Sequence, residues 1–139
     1  MDFVYDLVAA ALTKWVTAIF AWLIALMLGS GALVHVFNIL GKGGKPWSEF
    51  SLLMRVMDVV LLAFNLAVMI GLALLKPWAV FLLFAGIVCL QIIPYTIFRS
   101  HFVSQPEDHR TLNGLIATEV FMLVAFAAVL VWQGFGGGV

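Results

Sequence analysis

Residues 55–76 read RVMDVVLLAFNLAVMIGLALLK. At a rise of about 1.5 Å per residue, this run has the length of roughly 20 residues that a helix needs to cross the hydrocarbon layer. It also carries Arg55, Asp58 and Asn65, which a span that only fills lipid would not tolerate. Asp58 and Asn65 are seven apart and share a face, and Arg55 sits one turn before Asp58, close enough to pair with it near the interface. Ala63, Ala67 and Gly71 form a second stripe, small enough for another backbone to approach closely. One helix thus has a polar face and a packing face, and the other spans must be arranged around both.

Composition places the whole chain in the same setting. Of 139 residues, 65% are hydrophobic and 10% charged, and the mean hydropathy is +1.16. Soluble domains average about 45–50% apolar and about 25% charged. The chain therefore reads as one integral membrane domain, all-α, with spans near 15–40, 55–75, 78–98 and 112–132. Net charge is zero, which gives no electrostatic case for nucleic acid. Cys89 is the lone cysteine, and three histidines without cysteines to join them make no metal motif.

Residues 2–13 place Phe3, Val4, Leu7, Val8, Ala11 and Leu12 on one helical face and Asp2, Tyr5, Asp6 and Ala9 on the other. That pattern predicts an amphipathic helix at the interface, or else an extension of the first span. The acidic start and the long apolar run are unlike a signal peptide. In the first span, Ala21, Ala25 and Gly29 repeat the small-residue stripe of the second, so the two are expected to pack through these stripes. His35 and Asn38 lie in its last two turns. A loop rich in glycine and lysine follows, with Ser48 or Ser51 able to cap a short lead-in to the second span. Lys76-Pro77-Trp78 allows only a very tight turn into the third span, where Pro94 predicts a kink. Ser104-Gln105-Pro106-Glu107 has the spacing of a capping box opening the fourth helix. Gly136-Gly137-Gly138 reads as a flexible tail.

Lys42, Lys45, Arg55, Arg99 and Arg110 flank the first and third loops, against Lys14 and Lys76 on the other side. This bias predicts loops in the cytoplasm and both termini outside, in a membrane such as the bacterial inner membrane. Counted from the loop ends, His35, Asp58, Gln91, Tyr95 and Glu119 fall in one half of the bilayer and Asn65 near its middle. Polar groups in lipid are costly unless partnered, so these six are expected to converge inside the bundle. Glu119 has only Leu115, Ile116, Met122 and Leu123 around it on its own helix, so its partner must come from another span, Asn65 or Gln91 among them, or from a bound ligand.

No nucleophile–base pair, phosphate loop, HExxH or pair of haem-ligating histidines is present, and nothing in the sequence names a cofactor. Val36-Phe37-Asn38 followed by Pro46-Trp47-Ser48-Glu49 resembles a run in the small four-span membrane subunit of tripartite carboxylate transporters. The likeness covers only those positions, with a longer gap between them, and those subunits keep their termini inside; membership does not follow from it. The leading expectation is a small non-catalytic subunit of a larger membrane complex, stabilising it or lining a ligand or proton path. A homo-oligomeric, proton-coupled transporter or channel is the alternative, and an enzyme acting on a lipid or quinone comes third. The expected partners are the lipid bilayer and either other membrane subunits or further copies of the chain.

Overall fold

A computed structural model describes residues 2–103 and 105–136. It is an all-α bundle of four long apolar helices, preceded by a short one. Helix α1 spans Asp2–Leu12, α2 Trp15–Ile39, α3 Leu52–Ala73 and α4 Pro77–Thr96. Helix α5 spans Pro106–Gly134. The long helices alternate in direction, so the bundle has a terminus side and a loop side. By length and composition α2 to α5 can each cross a membrane, and the protein is a multi-pass membrane protein.

Helix α1 is separate from α2: Lys14 is extended, at φ −106° and ψ 145°, and the Thr13 hydroxyl donates to the Ala10 carbonyl at 2.7 Å, ending the first helix. Val8, Ala11 and Leu12 are buried. The C-terminal part of the apolar face therefore packs on the bundle, while Phe3 and Val4 stay exposed, Phe3 lying against Phe135; from the other face Tyr5 stacks on Phe81. At the start of α3, Ser51 is the cap, accepting from the Met54 amide at 3.2 Å, and the lead-in is a single 3₁₀ turn over Trp47–Glu49. The tight turn into α4 forms with Leu75 in the left-handed region (φ 55°) and the Lys76 amide returning to the Gly71 carbonyl at 2.8 Å.

Pro94 produces more than a kink. The backbone widens into a π-turn over Val88–Ile92, and the Ile93 amide bonds to the Val88 carbonyl, five residues back. A proline cannot donate to the residue four before it, and one wide turn absorbs the misfit. At the start of α5 the capping box is Gln105 with Asp108, the Gln105 amide donating to Asp108 Oδ2 at 3.0 Å. Ser104, expected to cap this helix, lies outside the described residues, as do Gly137 and Gly138.

The core runs through all four spans, with Leu72, Leu83, Val68 and Phe126 fully buried. Phe126 stacks against Phe20 and Phe84 on its two neighbours, closing the terminus-side half. Of the small-residue stripes, Ala21 and Ala25 are buried, and Gly29 approaches Met69 of α3. The α3 stripe does not face α2 as expected. Gly71 is directed at Ala79 and Trp78 of α4, Ala67 is half-buried and Ala63 is exposed. The reason is that α3 has two neighbours, and its buried positions are divided between them. Against α2 it turns Asn65, which Gly31 admits: a β-carbon there would stand 2.9 Å from the Asn65 amide nitrogen.

Candidate functional site in the loop-side half of the bundle

Asp58 is buried in α3, 6% exposed, and its partners come from α2. His35 Nδ1 lies 2.7 Å from Asp58 Oδ1, and Asn38 Nδ2 donates to the same oxygen at 3.1 Å. The spacing of His35 and Asn38, three apart, sets both on the α2 face that meets α3. Assigning the His35 proton to Nδ1 leaves Nε2 with a free lone pair. Arg55 was expected to pair with Asp58 and does not: the ion pair among the described residues is His35–Asp58. Arg55 Nε is buried without a hydrogen-bond partner. Adjacency along α3 suggested the pair, but the carboxylate turns inward toward α2.

Glu119 of α5 is also buried, 6% exposed, and its partner comes from α4. Gln91 sits in the π-turn, and with its amide nitrogen turned toward Glu119 it lies 3.1 Å from both carboxylate oxygens. The wide turn shifts the facing of Gln91 relative to a regular helix, so Pro94 helps to aim it. Tyr95, one turn on, packs edge-to-face on Phe102 at 5.0 Å. Its backbone carbonyl accepts from Arg99 Nε at 2.8 Å, which ties that guanidinium to the helix end.

These groups surround a cavity of about 320 Å³. His35 from α2, Asn65 from α3, Gln91 and Tyr95 from α4, and Thr118 and Glu119 from α5 all line it. Five of the six polar residues singled out in the sequence therefore share one cavity. The sixth, Asp58, holds His35 at its edge. Leu28, Leu61, Ile87 and Met122 form the apolar part of the wall. From Met27 to His35 on α2, and from Ile87 to Tyr95 on α4, it follows the bundle for about 12 Å at roughly 1.5 Å per residue. On the α3 side Leu61 and Asn65 are buried, and on the α4 side Ile87 is buried while Gln91 and Tyr95 are half-buried. On the α2 and α5 sides the lining includes exposed Met27 (47%), Val34 (56%) and Leu115 (38%). The mouth thus opens sideways on the α2 and α5 faces, through a lip that is apolar apart from the exposed Thr118. Compared with known families, curated proteins and solved structures, the chain has no match.

Two contributors were not singled out in the sequence. Asn38 was readable from its position one turn after His35. Thr118 is next to Glu119, yet a span threonine commonly bonds back to its own helix, and the Thr118 hydroxyl does donate to the Gly114 carbonyl at 2.8 Å. A larger groove of about 790 Å³ lies on the outer face of α2 and α3, between Trp22, Leu26, Met69 and Leu74. Its one hydroxyl, Ser30, is bonded to the Leu26 carbonyl at 3.2 Å, so the groove offers little beyond apolar surface. No group of three His, Cys, Asp or Glu side chains among the described residues is arranged to hold a metal ion.

Proposed function

We propose that this protein is a small non-catalytic subunit of a larger inner-membrane assembly, and that its cavity lines a ligand or proton path there. The observation that supports this reading is the cavity itself: every span contributes a polar side chain to it. Burying polar groups in hydrocarbon is costly, and such groups mark sites and pathways more often than inert packing. Against a role as interhelical glue stands the space. Glue closes on itself, whereas His35, Gln91 and Glu119 border a volume open to the lipid side. The connections between the described spans are short. The site faces the bilayer, the medium it would share with partner spans.

A second reading, a proton-coupled transporter formed by several copies, draws on one specific feature. Glu119 lines the cavity with no Lys or Arg in the lining, as a residue that exchanges a proton for a cation would. Copurification after extraction in a mild detergent tests the two. Stable, larger partner proteins support the subunit reading; a small self-oligomer alone overturns it and supports the second. The charge bias of the loops further proposes cytoplasmic loops and outward termini. A reporter fused after Val139 is then expected to report a periplasmic C-terminus, and a cytoplasmic signal there refutes that orientation.

A further inference from the structure

The cavity has a sign of charge as well as a shape. Its lining holds the Glu119 carboxyl, and Asp58 stands just behind His35. No Lys or Arg lines it: Arg99 is turned to the Tyr95 carbonyl, and His35 Nδ1 is engaged by Asp58. A fatty-acid carboxylate or a lipid phosphate would meet Glu119 with no Lys or Arg in the lining to offset the repulsion. Gln91 satisfies part of the Glu119 carboxylate but brings no charge. What remains is neutral and mixed: Tyr95 can donate or accept, and Asn65 brings an amide whose Oδ1 is buried without a donor. The Tyr95 and Thr118 oxygens share the lining with Glu119, and Thr118 spends its proton on Gly114.

Size and access narrow the class further. About 320 Å³ lies at the small end of the roughly 300–1,000 Å³ typical of ligand sites, and the lip of Met27, Val34 and Leu115 is apolar. A ligand entering at the α2 and α5 faces comes through hydrocarbon, so it needs an apolar body that partitions into the bilayer. We propose that the cavity binds a small amphipathic organic amine, its ammonium group on the Glu119 carboxylate and its apolar body toward the α2–α5 mouth. This deepens the proposal that the cavity is a ligand path and rests on it.

Three probes of matched shape and different charge test it in the full-length protein reconstituted in nanodiscs: phenethylamine, phenethyl alcohol and hydrocinnamate. Thermal stabilisation and native mass spectrometry read the binding. The expected result is saturable binding of the amine, roughly tenfold or more weaker in Glu119→Gln, with hydrocinnamate not binding. Val34→Trp, which narrows the mouth and leaves Glu119 in place, weakens the amine as well. Leu26→Trp, in the outer groove, leaves it unchanged. If alcohol and amine bind alike and Val34→Trp weakens both, the cavity is a ligand site but not a cation site: the inference falls and the proposal beneath it stands. If none of the three binds to folded protein, or if Val34→Trp has no effect, both fall, and a neighbouring helix seated over the mouth takes their place.

Discussion

Replacing Asp58 by alanine separates the structure from the simplest reading of the sequence. Asp58 Oδ1 accepts from both His35 and Asn38, and the side chain is 8% exposed. The substitution therefore strands two donors of α2 inside the bundle. Interhelical hydrogen bonds in membrane proteins average about 0.6 kcal/mol and reach about 1.7, and bonds to a carboxylate fall at the strong end. Two such bonds put the expected loss at about 1–3 kcal/mol. Unfolding in mixed detergent and dodecyl sulfate micelles, followed by tryptophan fluorescence and circular dichroism, measures it. A double-mutant cycle then locates the partner. His35→Ala and Asp58→Ala should be coupled by about 0.5–2 kcal/mol, whereas Arg55→Ala and Asp58→Ala should add within about 0.5 kcal/mol. Coupling to Arg55 with additivity to His35 would refute the assignment and restore the pair suggested by adjacency on α3.

Two further predictions concern packing. A β-carbon at Gly86 would overlap the ring of Phe64, itself buried, so Gly86→Val should cost about 1–3 kcal/mol in the same unfolding assay; Gly114→Ala, which points into open space, should be neutral or stabilising by up to about 1 kcal/mol. Ala11 is fully buried where α1 meets the bundle, so Ala11→Leu should loosen α1 and speed tryptic cleavage after Lys14 in nanodiscs; an unchanged cleavage rate would show that α1 is held some other way.

The spans were legible because length and hydropathy decide them: the first was expected at 15–40 and found at Trp15–Ile39. The convergence of polar residues was legible for a related reason, since hydrocarbon leaves buried polar groups few alternatives to meeting one another. Which group meets which was not. Helical spacing placed Arg55 beside Asp58, but the choice between Arg55 and His35 depends on how α2 and α3 rotate against each other. Gly71 shows the same limit. A small-residue stripe says that a helix comes close, and here the one that comes close to Gly71 is α4. Pro94 announced a disturbance but not its form, and the π-turn is what sets Gln91 opposite Glu119. The lateral mouth could not be read at all, because it depends on which faces of α2 and α5 are left uncovered.

Chemical modification in the bilayer tests the central claim, a polar cavity reached sideways from lipid, most directly. N,N′-dicyclohexylcarbodiimide dissolves in hydrocarbon and, at mildly acidic pH, adds to the protonated carboxyl groups it can reach there. Glu119 lines the cavity, whereas Asp58 lies outside the lining with Oδ1 held by His35 and Asn38. Peptide mass analysis of protein treated in native membranes should therefore find the adduct on Glu119 and little on Asp58, with Val34→Trp slowing the reaction severalfold. An unmodified Glu119, an Asp58 modified as fast, or a rate indifferent to Val34→Trp would contradict the account.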